Sequence, residues 1–217
     1  VTMTPLATFG VNGWIAPGTH PYVSTGNTER GLAYNPMTGN LVLVARQAVA
    51  GVSNNIRILS PTTGADLFGL DNTGLTGGGT FLVNMCGVDD LGAIYACNLT
   101  TSATGAFVVY KWDNEALGQV TPPTVAFSAV TGLPRVGDAF AVNGGIFFPA
   151  QFAAAGSNTG GLPTNSYFTV GSLDATNTRA DYVSIPGTST SNNEFRLAIT
   201  FVDQDTVIGT QGATARL

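Results

Sequence analysis

Apolar residues in this chain come in short runs separated by glycine, asparagine and aspartate, and four segments share one form. Each has an apolar strand, a polar or glycine turn and a second apolar strand, which together predict a β-hairpin. The four segments are GLAYNPMTGNLVLVAR (31–46), NMCGVDDLGAIYACN (84–98), DAFAVNGGIFFPAQ (138–151) and LAITFVDQDTVIGTQ (197–211). Aligned on their turns, Val42, Ile94, Ile146 and Val207 are equivalent, at spacings of 52, 52 and 61 residues. The chain is therefore predicted to repeat with a period of about 50 residues.

A second hairpin is predicted after three of these segments, at 54–70, 106–128 and 166–185. The first hairpins are nearly continuous in apolar residues, as is typical of strands buried on both faces. The second hairpins alternate more between apolar and polar residues, as in IRIL and DYVSI, which indicates strands with one face in water. Each unit therefore has an inner buried pair of strands and an outer amphipathic pair.

An inner pair followed by an outer pair is typical of a β-propeller blade. We therefore predict an all-β fold, a β-propeller-like stack of about four antiparallel blades, in a single domain covering residues 1–217. The fourth unit ends after its inner pair, so it is either incomplete or closed by an N-terminal strand at 5–15 or by a neighbouring subunit. An ordinary β-sandwich or a β-prism is the alternative. The repeat units are about 31–71, 81–128, 136–187 and 194–217.

Charge is scarce, since 10% of the residues are charged against about 25% in an average soluble domain. A net charge of −5, one lysine and scattered arginines exclude nucleic acid as a partner, because phosphate binding needs clustered basic residues. No window approaches the ~20 apolar residues of a membrane span. The start of the chain has no basic and apolar leader, so it reads as a mature or trimmed N-terminus. This composition favours a secreted, extracellular or cell-surface protein.

Hairpin and turn signatures run through nearly the whole chain. They are TFGVNGWIAPG, ERGLAYNPMTGNLVLVAR, IRILSPTTGADLFGLD, GVDDLGAIYACNLTT, VYKWDNE and FRLAITFVDQDTVIGTQG. Together they resemble a family of secreted bacterial propeller-like repeat domains of unknown function, often found beside immunoglobulin-like modules or a sorting anchor. The resemblance implies the fold and carries over no catalytic residue. Members are usually longer, and they usually have small or apolar residues in place of Cys86 and Cys97.

Cys86 and Cys97 lie on the two strands of one predicted hairpin. They are a disulfide candidate, since directly opposite residues meet the Cα separation of about 4.4–6.8 Å that a disulfide needs. A three-residue turn with Gly92 in the left-handed region would instead put them on opposite faces as two buried free thiols. The register is open at this point, so both outcomes stand. A metal site is disfavoured, because zinc needs further ligands and His20 is the only histidine.

Acidic residues occupy the same turn in two repeats, Asp89 and Asp90 in one and Asp203 and Asp205 in the other. Aspartate in a hairpin turn commonly accepts hydrogen bonds from backbone amides. The functional alternative is a calcium ion held by carboxylates and turn carbonyls. Neither turn has the spacing of a calcium-binding loop, so we expect no cofactor, with calcium as the low-ranking exception.

Three further residues are candidates for surface chemistry. Asn98 begins the chain's N-x-S/T triplet, Asn98-Leu99-Thr100, and is a glycosylation candidate. Trp14 and Trp112 are candidates for stacking on sugar rings, although aromatic residues in strands more often belong to the core. A carbohydrate ligand is therefore a second prediction beside a purely structural role.

The inner strands offer few groups for catalysis. They contain no cooperating pair of carboxylates, and His20 lies between prolines with no serine nucleophile motif nearby. We therefore predict a secreted, non-enzymatic structural or adhesive subunit that forms a homo-oligomer, a ring or a filament by completing the open edge strand of its fourth unit. The alternatives are a carbohydrate-binding module and a propeller-type hydrolase or lyase.

Overall fold

The computed structural model describes residues 3–46, 55–155, 166–173, 180–185, 195–211 and 214–215. Within them the chain is almost entirely strands and turns, which confirms the all-β class. The first sheet contains β1 (Glu29–Tyr34), β2 (Leu41–Ala45), β3 (Asn55–Leu59) and β4 (Asp66–Gly69). The second contains β5 (Phe81–Val88), β6 (Ile94–Leu99), β7 (Ala106–Trp112) and β8 (Thr124–Val130). A helical turn, α1 (Glu115–Gly118), lies between β7 and β8.

The third and fourth sheets continue the same plan. The third contains β9 (Ala139–Asn143), β10 (Gln151–Ala155), β11 (Ser166–Ser172) and β12 (Ala180–Ile185). The fourth contains β13 (Ile199–Phe201), β14 (Val207–Gln211) and β15 (Thr214–Ala215). In every sheet the strands are antiparallel and follow one another in sequence order. Each sheet is thus a meander whose first pair of strands corresponds to a predicted inner hairpin.

The sheets pack in series through their first strands, β1 on β5, β5 on β9 and β9 on β13. Two glycines permit the close approach. A Cβ on Gly31 would lie 2.4 Å from the backbone nitrogen of Cys86, and one on Gly87 would lie 2.6 Å from Cγ2 of Val142. Both distances are shorter than non-bonded carbon contacts allow, so the backbones meet only because these side chains are absent.

Three apolar cores fill the spaces between successive sheets. Val42, Ile56 and Ile94 belong to the core between the first and second sheets. The second and third sheets enclose four phenylalanines, Phe107, Phe127, Phe140 and Phe152, and smaller residues such as Ala153 separate the third and fourth sheets. The second sheet therefore has apolar residues on both faces, and all six residues of β6 are buried.

The N-terminal segment corrects one prediction. Residues 5–15 form turns with one isolated bridge, Gly10 to Trp14, and not a strand. The amide of Gly10 donates to the carbonyl of Thr63 at 2.7 Å. The hydroxyl of Thr8 donates to the backbone carbonyl of Thr62 at 2.8 Å. The segment thus lies against the first sheet and does not close the fourth. Positive φ angles at Gly10, Asn12 and Gly13 interrupt an extended backbone there.

The other face of the first sheet is covered by this same part of the chain. Tyr22 is buried together with Ala45 and Leu59, and Ile15 and Val23 pack against them. No extensive packing joins β13 back to β1 within the described residues. Within the described residues the four sheets therefore form an open series, in which the N-terminal segment covers the first sheet and the fourth sheet packs on the third.

The third inner hairpin departs from the repeat. Residues 144–150 form an irregular loop, and the second strand begins at Gln151. Ile146 is consequently 55% exposed and Phe147 90% exposed. The alignment of Ile146 with Val42, Ile94 and Val207, which lie in the second strands of the other hairpins, is therefore wrong. Two successive glycines at positive φ, Gly144 and Gly145, turn the chain before a second strand is able to start.

Candidate functional site

The first strands define two ends of the stack, and the end with the hairpin turns is called the turn end. It contains the segments 35–40, 89–93, 144–150 and 202–206. The amide of Asp90 donates to the carbonyl of Gly144 at 2.9 Å, which joins the second sheet to the third. The side-chain amide of Gln151 donates to the carbonyl of Gln204 at 2.7 Å, which joins the third to the fourth.

Asp89 shows what the acidic turns do. One carboxylate oxygen accepts hydrogen bonds from the amides of Leu91 and Ala93 at 3.0 and 2.9 Å. The other accepts from the hydroxyl of Tyr95 at 3.0 Å, and the residue is 4% exposed. Burial, and then the negative charge of Asp89, raise the pKa of Tyr95. Asp89 is therefore a buried acceptor that holds the turn together.

The second acidic turn is open to solvent. A carboxylate oxygen of Asp203 accepts from the amide of Asp205 at 2.9 Å. A hydrogen bond from the Thr206 side chain lowers the pKa of Asp203. The two acidic turns lie in different sheets, and no group of three His, Cys, Asp or Glu side chains gathers in the described residues. Calcium binding at Asp89, Asp90, Asp203 and Asp205 stays a prediction.

Glu115 is a turn-end residue that the sequence does not single out. Its carboxylate is 5% exposed and accepts from three neutral donors of the β1–β2 turn. One oxygen accepts from Asn35 at 2.8 Å and Thr38 at 2.6 Å, and the other accepts from Asn40 at 2.7 Å. Asn114 caps the helical turn and so places Glu115. This carboxylate joins the first sheet to the second.

The cysteines correct the disulfide prediction. Met85 pairs with Cys97 and Cys86 pairs with Ala96, so the two cysteines point to opposite faces of the sheet as free thiols. The register follows from a five-residue turn between Val88 and Ile94, with Gly92 at φ +83°. Burial raises the pKa of Cys86 from 9.0 to about 12 and that of Cys97 as well.

Asn98 and Trp112 correct two surface predictions. Asn98 is fully buried, its amide nitrogen donates to Gly78 and Ala106, and its oxygen accepts from the amide of Val108. The folded chain therefore presents no nitrogen for glycosylation. Trp112 is 2% exposed and its indole donates to the carbonyl of Asp71 at 2.8 Å, so it is a core residue and not a sugar platform.

Trp14, in contrast, is 64% exposed and retains a face for contact. It lies in the N-terminal segment with three other exposed apolar side chains, Met3, Leu6 and Val11. His20 in the same region bonds to the carbonyl of Gly64 at 2.9 Å and stacks on Tyr22, which is a structural role.

The opposite end, called the start end, lies where the first strands begin, and charge gathers there. Asp138 precedes β9 and pairs with Arg135 through two hydrogen bonds of 2.5 and 2.7 Å. Arg196, which precedes β13, reaches the same carboxylate at 3.0 Å. The Asp138 side chain is 13% exposed, against 28% for Arg135 and 31% for Arg196. The hydrogen bond to Asp138 raises the pKa of Arg135.

Two more arginines complete the start end. Arg46 follows β2 and lies over the ring of Phe81, the first residue of β5, at 3.6 Å from its centroid. Burial lowers the pKa of Arg46, the charge of Arg30 on β1 lowers it further, and Asp138 raises it. Arg30, Arg46, Arg135 and Arg196 with Asp138 are called the arginine cluster.

The positions of the arginines relative to the strands are the sequence signal for this cluster. The arginines are far apart along the chain. Arg135 and Arg196, however, each stand three or four residues before the first strand of a sheet, and Arg30 lies at the start of another. Equivalent positions in stacked repeats lie at the same end of the stack, so stacking of the sheets places these arginines at one end.

Comparisons with known proteins show a likeness in fold. No protein-family model and no curated protein matches the chain. A crystal structure of a DUF4623 family protein from Bacteroides eggerthii superimposes with a TM-score of 0.59 at 17% sequence identity. The match covers 87% of this chain and 46% of that one, so the chain spans about half the length of the solved protein. The chain is thus similar in fold to part of a longer bacterial protein.

Proposed function

We propose that this chain is a secreted, non-enzymatic bacterial structural subunit, built as a propeller-like stack, which assembles head to tail with further copies of itself. The observation that carries the proposal is that both outer faces of the open series of sheets bear exposed apolar side chains. An open series has two different outer faces, and one outer face of a copy is able to pack on the opposite outer face of the next copy.

One outer face belongs to the fourth sheet and is called the tail surface. Ile199 and Phe201 face the third sheet, so Thr200 and Val202 face away from it by strand alternation. Ile208 pairs with Thr200 and shares its face. Val202 is 57% exposed and Thr200 is also exposed. The tail surface is therefore one face of a sheet whose opposite face already packs on a neighbour.

The other outer surface is called the head surface and consists of Met3, Leu6, Val11 and Trp14. Their side chains are between 52% and 89% exposed. Clusters of exposed apolar residues on a soluble protein commonly mark an interaction site. Head and tail differ in structure, so a contact between them is heterologous and produces a ring or a filament.

A second copy is the occupant that best suits these surfaces. The chain already packs sheet on sheet three times, and a copy whose head surface packs on the tail surface of its neighbour extends that stack. Among the described residues the fourth sheet has three strands where the others have four, which leaves an edge for a neighbour's strand.

Two single variants test the assembly. Trp14→Ser impairs the head surface and Val202→Glu impairs the tail surface. The control is Leu117→Ser, which changes a 51% exposed apolar residue outside both surfaces. Sedimentation velocity at rising concentration should show multimers for the native chain and for Leu117→Ser, and monomers for each of the other two. An equal mixture of the head and tail variants retains one good contact per pair and should stop at dimers. A native chain that stays monomeric would sink the proposal.

A second candidate function rests on Trp14 alone. An exposed indole is a suitable platform for a sugar ring, so a carbohydrate-binding role is retained for Trp14 and withdrawn for Trp112. Retention on immobilised bacterial glycans should be lost in Trp14→Ala and kept in Leu6→Ala, which removes a similarly exposed neighbour. Retention equal in both variants, or absent from the native chain, would rule out stacking on Trp14.

A further inference from the structure

We propose that the arginine cluster at the start end binds an oxyanion, a phosphate, sulfate or carboxylate group carried by a small ligand. The site is separate from the head and tail surfaces, and it goes beyond the assembly proposed above. Three properties of the cluster support an oxyanion site: its excess of positive charge, its donors without partners and the chemistry of guanidinium groups.

The charges of the cluster do not balance. The cluster holds four guanidinium groups and one carboxylate, although the chain as a whole carries a net charge of −5. Asp138 is already engaged by Arg135 and Arg196. Glu29, the nearest acid along the chain, accepts instead from the amide of Ser24 and the hydroxyl of Thr28. Arg30 and Arg46 therefore have no paired carboxylate among the described residues.

Arg46 is the most informative residue of the cluster, because two of its donor nitrogens are buried without a hydrogen-bond partner among the described residues. Its Nε and Nη1 are buried, and neither has a hydrogen-bond partner in the described part of the chain. Its Nη2 makes a long bond of 3.4 Å to the carbonyl of Asn27, and its plane lies on Phe81. Buried donors of a charged group are normally satisfied, so an unpartnered pair indicates a partner that the protein itself does not supply.

A second unused group lies on the same strand as Phe81. Asn84 is 3% exposed and donates to the carbonyl of Gly137 at 2.6 Å, next to Asp138. Its side-chain oxygen is buried and has no partner among the described residues. β5 thus connects the Arg46 side of the cluster to the Asp138 side.

An oxyanion is the ligand that this chemistry suits. Guanidinium groups present planar donors that match carboxylate, phosphate and sulfate oxygens, and stacking on an aromatic ring keeps such a group in place. Asp138 holds Arg135 and Arg196 in fixed positions, so the cluster is ordered before a ligand arrives. An anion would also relieve the repulsion between Arg30 and Arg46.

The test is titration calorimetry of the monomeric Trp14→Ser variant, which keeps the result independent of assembly. Inorganic phosphate, sulfate and citrate are titrated separately at constant ionic strength, with chloride as the reference. Saturable binding of at least one oxyanion is expected, and the strongest of the three distinguishes a phosphate, sulfate or carboxylate source. Heats no larger than those of chloride for all three would overturn the site.

Two further variants show where the anion binds. Arg30→Gln removes an exposed charge of the cluster, and Lys111→Gln removes one from a surface pair with Asp113 far along the chain. Arg30→Gln should weaken binding about tenfold, the effect of one charge-assisted contact, while Lys111→Gln leaves it unchanged. Equal weakening by both would mean that net charge alone attracts the anion and would reject the site. Arg46→Gln should abolish binding, with near-ultraviolet circular dichroism to check that the core is intact.

Discussion

The two ends of the stack use charged residues in opposite ways. At the turn end, the carboxylates of Asp89 and Glu115 are almost fully buried, yet each accepts three hydrogen bonds from neutral donors. At the start end, Asp138 pairs with Arg135 and Arg196, while Arg46 keeps two buried donors without a partner among the described residues. Charge that is fully satisfied within the fold serves stability, whereas charge left over marks a place for a ligand.

The largest effect is expected from Glu115 at the turn end. Glu115→Ala leaves the donors of Asn35, Thr38 and Asn40 without their acceptor, which should lower the free energy of unfolding by about 3 kcal/mol. Urea denaturation followed by tryptophan fluorescence measures the change. Glu115→Gln keeps one acceptor oxygen and should lose less, and Asp205→Ala at an exposed turn should lose almost nothing. Equal stability of Glu115→Ala and the native chain would contradict a structural role for this end.

Asp138 tests how much a carboxylate contributes to stability at the start end. Asp138→Asn leaves Arg135 and Arg196 without their carboxylate and should lower the free energy of unfolding by about 2 kcal/mol, less than for a fully buried pair because water reaches all three groups. The loss should shrink in high salt, since ions screen the remaining arginines. Asp113→Asn breaks an exposed pair with Lys111 and should cost no more than about 0.5 kcal/mol. An Asp138→Asn loss that is independent of salt would argue against repulsion between arginines.

The hairpin that connects the two ends should make the protein sensitive to alkali. The pKa of Cys86 is raised from 9.0 to about 12 in the folded chain, so its contribution to stability is complete below pH 9 and is lost as the pH rises toward 12. At pH 10 the loss is about 1.4 kcal/mol for this thiol. Urea denaturation at pH 8 and pH 10 should show a smaller difference in Cys86→Ala than in the native chain. An unchanged difference would exclude thiol ionisation as the cause.

The smallest effect on stability, and the sharpest contrast between the ends, is expected from Arg30→Gln. Arg30 is exposed and its positive charge repels that of Arg46. Removing the charge of Arg30 should therefore leave the free energy of unfolding unchanged or raise it by up to about 0.5 kcal/mol. The same variant should bind oxyanions about tenfold more weakly. A destabilised Arg30→Gln would place Arg30 among the structural residues and weaken the distinction between the two ends.

The pattern of apolar residues was enough to predict the strands and their order. Inner hairpins such as 31–46 and 84–98 were recognisable because each strand is bounded by turn residues and is apolar on both faces. Hairpin pairing is local, so neighbouring segments of sequence contain most of the information that sets it. The third hairpin was misaligned because the glycines at 144 and 145 were interpreted as a tight turn, when they begin a longer loop.

The side-chain sites depended on distances that no local pattern contains. The disulfide prediction was wrong because Cys97 pairs with Met85 and not with Cys86, a register that the turn geometry sets. Asn98 and Trp112 have the residue types of surface sites, and only packing against other sheets buries them. Trp14 stays exposed because the N-terminal segment lies on the first sheet with its indole outward.

By itself, the sequence determined that this protein is all-β, repeats in hairpins and is poor in charge, because local periodicity and composition express those properties directly. The tertiary structure alone decided which charges meet. Glu115 reaches Asn35, which is 80 residues away along the chain, and Arg196 reaches Asp138 across 58 residues. Such contacts arise from the stacking of sheets, and stacking brings together residues whose separation along the chain conceals their proximity.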